Sequence, residues 1–164
     1  MTKRSCGDCT KCCEGWLSGE ALGHSFYKGK PCHFIAIGKG CSIYAKRPKD
    51  PCQSFKCAWL SDENIPEWMK PSDIDTIFIH KTVKDIPYLC LVEAGSNLSS
   101  KVLTWAIQYV LANNMNFYWE IDGGANWIGS PEFGLALQEN SNKQSHQIQK
   151  VSKDKSLHQE DAQK

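Results

Sequence analysis

Residues 6–13 read CGDCTKCC and place four cysteines, Cys6, Cys9, Cys12 and Cys13, within eight positions. In a turn or the first turn of a helix, steps of three residues bring side chains to one face. The thiolates of Cys6, Cys9 and Cys12 can therefore converge on one metal centre. Cys13 points elsewhere, because two neighbouring cysteines are poorly placed to chelate the same mononuclear ion. The run predicts two adjacent metal sites or one polynuclear site.

The remaining predicted ligands are not adjacent to one another in sequence: Cys32, Cys41, Cys52 and Cys57. Eight of the nine cysteines therefore lie between residues 6 and 57. Gly and Pro at short intervals in residues 1–60 leave little room for long regular elements. Metal ligation can stabilise such a segment by about 10 kcal/mol. Eight thiolates fill two tetrahedral four-cysteine sites, which makes zinc the predicted cofactor. The CxxCxxC spacing is also typical of a 4Fe-4S cluster, which is the alternative.

The chain has no run of about 18 apolar residues, and its start, MTKRSCGDC, has no apolar signal region. We expect a cytoplasmic protein with no membrane partner, whose thiols stay reduced instead of forming a disulfide framework. Residues 1–60 hold ten Lys/Arg against four Asp/Glu, a formal charge of +6, which can indicate nucleic-acid binding. Eight thiolates with two divalent ions would add about −4 to this half. The positive charge then largely compensates the thiolates, so a nucleic-acid partner is not expected. The sequence identifies no macromolecular partner.

The second half of the chain differs from the first in its residue pattern. The β-branched and aromatic runs TIFIHKTV (residues 76–83) and PYLCLVEAG (residues 87–95) predict an antiparallel hairpin. The run KVLTWAIQYVLANN (residues 101–114) has apolar residues at helical spacing after two serines, and it predicts the main helix. Alternating apolar residues in NFYWEIDGG predict a third strand, and NWIGSPEF a fourth.

The predicted fold class is α+β, with a small, cysteine-rich, metal-stapled N-terminal half packed with a short antiparallel sheet and one main helix. We expect a single domain over residues 1–137, with a metal-binding half at 1–60 and a strand-helix-strand half at 76–137. Residues 138–164 contain no aromatic residue, Gly or Pro and few apolar side chains. We expect this polar tail to be disordered or weakly helical.

Three further residues are candidates for supporting roles. His33, beside Cys32, can replace a cysteine as ligand or donate to a thiolate, although a solvated loop position is the preferred interpretation. Arg47 can place a guanidinium near the negative charge of the centre. Cys90 lies in the apolar run YLCLV, and we expect it to be a buried, dispensable hydrophobe and no ninth ligand.

The cysteine motifs, taken together, resemble a known family. C6-x-x-C9-x-x-C12-C13, GKPCHF and GCSIYAKRPKDPCQSFKCAWL are similar to the bacterial cysteine-cluster proteins of the YkgJ type, described as a zinc- or iron-chelating domain. The resemblance covers about residues 6–60 and implies metal chelation by the eight cysteines. Gln53 stands where many members have Arg. A related branch, the flagellin lysine methylases, carries a similar cluster beside a catalytic function, which keeps an enzyme under consideration.

Four hypotheses follow for the function. The first is a metal-binding protein whose centre stabilises the fold. The second is an iron-sulfur enzyme or electron carrier that acts on a macromolecular partner. The third is a thiol redox sensor or chaperone that releases zinc on oxidation. The fourth is an interaction module that binds RNA or protein through the basic first half.

Overall fold

The first part of the chain contains only short elements, as its Gly and Pro content predicts. The computed structural model describes residues 4–36, 39–95 and 98–141. Two antiparallel hairpins form here: β1 (Gly19–Ala21) with β2 (His24–Phe26), and β3 (Ile35–Ala36) with β4 (Gly40–Cys41). Short helical turns cover Lys11–Cys13, Tyr44–Lys46, Lys49–Gln53 and Glu67–Met69, and the four-residue helices are α1 (Ala58–Ser61) and α2 (Pro71–Ile74).

The second part forms a four-stranded sheet with the strand order β5-β6-β7-β8. Its strands are β5 (Thr76–Val83), β6 (Ile86–Glu93), β7 (Asn116–Ile121) and β8 (Gly124–Ile128). Helix α3 (Ser100–Ala112) connects β6 to β7. The chain thus has both helices and sheets, which confirms the mixed α+β class, the β5–β6 hairpin and the main helix.

The predicted antiparallel sheet is wrong at one position, because β6 and β7 pair in parallel. Tyr88 lies opposite Asn116, and Cys90 lies opposite Tyr118. Helix α3 carries the chain back across the sheet before β7 begins, and such a crossover makes the flanking strands parallel. The other two pairings of this sheet are antiparallel. The sheet is therefore mixed.

A second long helix, α4, covers residues 131–141, where the sequence analysis placed part of a strand and the start of the tail. Ser130 accepts the backbone N–H of Phe133 at 3.2 Å, and Pro131 follows it at the first helical position. Both are common at helix starts. Helix α4 crosses the predicted boundary at residue 138, and the predicted tail from residue 142 onward lies outside the described residues. None of the described helices is both long and apolar enough to span a membrane.

The two faces of the sheet bury different parts of the chain. One face packs against α1 and α3 through Phe78, Leu89, Phe117 and their neighbours. The opposite face presents Ile77 and Ile79 to the cysteine-rich segment. Successive side chains of a strand point to opposite faces, which explains how β5 contributes to both clusters. The cysteine-rich segment therefore packs against this second face of the sheet.

Candidate metal centre

Eight cysteines come together around one cavity of about 140 Å³. They belong to four separate stretches of sequence and include every cysteine that the sequence analysis predicted as a ligand: Cys6, Cys9, Cys12, Cys13, Cys32, Cys41, Cys52 and Cys57. The ninth, Cys90, is buried in β6 and is not among the residues that line the cavity. Most of the other lining side chains are apolar, for example Phe26, Phe55 and Ile77.

The run CGDCTKCC folds as two consecutive turns. The backbone N–H of Cys9 donates to the carbonyl of Cys6 at 2.9 Å, and that of Cys13 donates to the carbonyl of Thr10 at 2.8 Å. Thr10 is buried, and its hydroxyl donates to the Glu14 carboxylate at 2.6 Å. The two backbone bonds close the turns, and the second one belongs to the short helical turn Lys11–Cys13. They leave the side chains of the four cysteines at the cavity wall.

Arg4 connects this run to the segment after Cys57, a role that sequence analysis missed. Its guanidinium donates to the carbonyl oxygens of Trp59 at 2.7 Å, Asp62 at 2.9 Å and Ile65 at 2.6 Å. It also lies 4.9 Å from the centre of the Trp59 ring. The five N–H donors of arginine suit such a cluster of carbonyls. Nothing in the spacing of Arg4 signals these partners, because they lie more than 50 positions away in sequence.

Backbone pairings position two of the later cysteines, and short helical elements position the other two. The N–H of Cys32 donates to the carbonyl of Cys13 at 2.9 Å. Cys41 lies in β4 opposite Ile35 of β3. Cys52 lies within the helical turn Lys49–Gln53, and Cys57 immediately precedes α1.

Burial and mutual repulsion dominate the electrostatics of the thiols. Burial raises the pKa of Cys57, and nearby Cys6 and Cys9 raise it further. Burial likewise raises the pKa of Cys32 and of Cys52, with additional contributions from other cysteines. A group of thiols in this setting resists ionisation until a cation compensates the charge.

Cys12 and Cys13 behave as a coupled pair, with their sulfurs 3.8 Å apart. The hydrogen bond from the Cys12 thiol lowers the pKa of Cys13 to about 7, and Arg47 contributes in the same direction. The same hydrogen bond is the largest cause of the raised pKa of Cys12, and burial is the second largest. Two adjacent thiols cannot both ionise easily without a cation between or beside them.

Of the candidate supporting residues, Arg47 lies at the cavity wall, whereas His33 is not among the lining residues. Arg47 lines the cavity, and its guanidinium lies 3.6 Å from the centre of the Tyr44 ring. Burial leaves the pKa of Cys6 and of Cys52 raised, and the charge of Arg47 only partly opposes this effect. At Cys13 the same charge adds to the lowering of the pKa by Cys12. His33 is exposed and stacks on the ring of His24 at 4.2 Å. The solvated loop position expected for His33 is therefore confirmed.

The donor set fits a thiophilic metal, although the thiols are not drawn into ligand geometry. Within the described ranges, no group of three or more His, Cys, Asp or Glu side chains is arranged to hold one metal ion. Ligation therefore requires the sulfurs of the cysteines that line the cavity to converge further. The indole N–H of Trp59, a residue of the cavity wall, is buried and has no hydrogen-bond partner among the described residues. Sulfur atoms of metal centres accept such hydrogen bonds.

Comparison with models of protein families, with curated proteins and with solved structures gives no match. The similarity to the YkgJ-type proteins therefore stays an expectation that rests on the cysteine motifs.

Proposed function

We propose that this chain is a metal-binding protein that chelates zinc through its eight clustered cysteines. One observation carries the proposal: four separate stretches of sequence bring all eight thiols to the wall of one cavity, while Cys90 lies elsewhere. An ordinary core cysteine is buried away from other cysteines, as Cys90 is in β6. Cysteine-only coordination suits zinc in closed structural sites, so the proposed role of the metal is to hold the N-terminal half together.

The direct test is elemental analysis of the full chain after anaerobic purification, combined with titration of accessible thiols. We expect about two zinc ions per chain and no freely reactive thiol among the eight. The Cys90→Ser variant is the matched control and should bind the same amount. Less than about one metal per chain, with all eight thiols titratable, would remove the proposal. So would a non-reduced mass showing that the eight cysteines form disulfides.

A second candidate is an iron-sulfur protein that acts as an enzyme or electron carrier on a macromolecular partner. It is favoured by the fact that Cys57 lines the same cavity as Cys6, Cys9 and Cys12. Three cysteines at steps of three with a distant fourth are an arrangement that 4Fe-4S clusters use. A brown protein whose visible absorption bleaches on reduction would favour this candidate. A colourless anaerobic preparation with stoichiometric zinc would exclude it.

We also propose that the protein works in a reducing compartment, the cytoplasm. The support is the number of free thiols: nine cysteines are unpaired in the structure, eight of them in one small region. Such thiols persist where glutathione and thioredoxin keep cysteines reduced. Mass spectrometry of alkylated protein from rapidly quenched cells tests this, since disulfide-linked peptides from residues 6–57 would contradict it.

A further inference from the structure

The eight cysteines do not share one packing environment. Cys12 and Cys57 pack against a cluster built on the sheet, whose buried members are Ile77, Ile79 and Ala94. Cys13, although adjacent to Cys12, packs into a different cluster. The two neighbouring side chains therefore pack against different clusters, although their sulfurs stay 3.8 Å apart.

Cys6 and Cys9 are tied to the side of Cys57. Arg4, two positions before Cys6, donates to the carbonyl of Trp59, two positions after Cys57, at 2.7 Å. The N–H of Cys9 donates to the carbonyl of Cys6, so the two residues share one turn. Asp8, which lies between Cys6 and Cys9 in sequence, forms a 2.7 Å ion pair with Lys70. These contacts hold the first turn beside the start of α1.

The other four cysteines gather on the β1–β2 hairpin. Cys32 is a buried member of the cluster that Ala21 and Phe26 form, and Cys13 and Cys52 pack against it. Cys41 joins through its pairing with Ile35, which packs against the same cluster. The bond from the Cys32 N–H to the carbonyl of Cys13 links two of these cysteines directly.

We propose that the cavity holds two neighbouring four-cysteine centres: a sheet-side set, Cys6, Cys9, Cys12 and Cys57, and a hairpin-side set, Cys13, Cys32, Cys41 and Cys52. This division rests on the proposed metal-binding function. Each set supplies the four sulfurs of a closed tetrahedral site. The 3.8 Å contact between the sulfurs of Cys12 and Cys13 is the junction of the two sets.

The experiment uses the full zinc-loaded wild-type chain, so that no variant has to fold. A limiting amount of chelator removes part of the zinc, an alkylating reagent marks the released thiols, and intact mass spectrometry counts the labels. We expect populations with no label, about four labels and about eight labels. Peptide mapping of the four-label population should find either the sheet-side or the hairpin-side set labelled together. Populations with only none or eight labels, or with mixed sets, would overturn the division.

Variants provide an independent readout of zinc content. Cys57→Ser, and also the pair Cys6→Ser/Cys57→Ser, should keep about one zinc, because only the sheet-side set is damaged. The pair Cys41→Ser/Cys57→Ser should lose both, and Cys90→Ser should keep both. Loss of all zinc from Cys6→Ser/Cys57→Ser, in protein that retains the circular dichroism of the sheet and α3, would indicate a single polynuclear centre. A wild-type chain without zinc would overturn the proposed function itself, whereas these failures leave it intact.

Discussion

The backbone N–H of Cys32 donates a 2.9 Å hydrogen bond to the carbonyl oxygen of Cys13, which fixes the loop of one cysteine against the turn of the other. Gly15, two positions after Cys13, allows the backbone of Tyr27 and Lys30 to approach the same turn. It has a φ of +90°, and a Cβ atom there would lie 2.8 Å from the carbonyl oxygen of Tyr27. The geometry of the hairpin-side set thus depends on a glycine that carries no functional group.

Replacing Gly15 by Ala should destabilise the protein by about 2–4 kcal/mol, because left-handed strain adds to a clash with backbone atoms. Gly29→Ala is the matched control. Gly29 has a similar φ of +87°, but a Cβ there would meet nothing within 4 Å. We expect it to cost only about 1–2 kcal/mol. Urea unfolding of the zinc-loaded proteins measures both values, and equal effects would argue against the close approach.

Replacing Arg4 by Ala should lower the free energy of unfolding by about 2–3 kcal/mol, since three carbonyl oxygens lose a charged donor. The Arg4 side chain is only 12% exposed, whereas its ion-pair partner Glu67 is 76% exposed. Arg4→Lys should recover only part of the loss, because a single ammonium cannot reach all three carbonyls.

Glu67→Gln is the control for Arg4. It removes only an exposed ion pair and should change the free energy of unfolding by less than about 0.5 kcal/mol. Chemical denaturation of all three variants provides the comparison. A small effect of Arg4→Ala, similar to that of Glu67→Gln, would show that the backbone contacts of Arg4 do not hold the first turn.

Tyr109 donates a hydrogen bond to the Asp62 carboxylate, and the pair predicts a pH-dependent contribution to stability. Burial, together with Asp62, raises the pKa of Tyr109 to about 12. Although burial opposes it, hydrogen bonds from Tyr109 and Asn64 leave the pKa of Asp62 lowered. Tyr109→Phe should therefore cost about 1 kcal/mol at neutral pH.

The direction of each pKa shift determines the pH range in which Tyr109→Phe should destabilise the protein. The stabilisation from a lowered carboxylate pKa is present above its unfolded value, about 4, and is lost as the pH falls through the folded value. The stabilisation from the raised tyrosine pKa is lost as the pH rises from about 10 through 12. The difference between wild type and variant should therefore shrink at both extremes. A difference that stays constant from pH 3 to pH 12 would contradict the pairing.

Removing the metal should loosen the cysteine-rich half and spare the sheet. The cluster of Phe78, Leu89 and Phe117 with α3 is built mainly from residues outside the cavity wall. We expect amides of residues 6–57 to exchange hydrogen at least about tenfold faster after chelation, with β6 and α3 nearly unchanged. Hydrogen exchange with mass spectrometry measures this. Equal acceleration throughout the chain would mean that the two halves unfold as one unit.

Sequence patterns predicted the elements whose signals are local. The spacing of apolar residues in 101–114 predicted α3. The clustering of eight cysteines between residues 6 and 57 indicated the ligand candidates. The parallel pairing of β6 with β7 was missed because pairing direction depends on the path of the crossover, which short strand patterns do not record. Helix α4 was missed although Ser130 and Pro131 carried a helix-start signal.

The division of the cysteines into two sets could not be predicted from spacing. Cys12 and Cys13 are neighbours in sequence, and only the surrounding packing separates them. The contacts of Arg4 likewise depend on residues more than 50 positions away. Long-range contacts of this kind follow from the whole fold and leave no periodic trace in the sequence.

X-ray absorption at the metal edge of the anaerobically purified full chain tests the central claim most directly, because it reads the atoms bound to the metal. We predict a zinc shell of about four sulfur atoms at about 2.3 Å, without nitrogen or oxygen, and the same spectrum for Cys90→Ser. A shell dominated by nitrogen or oxygen at about 2.0–2.1 Å would contradict chelation by the eight cysteines.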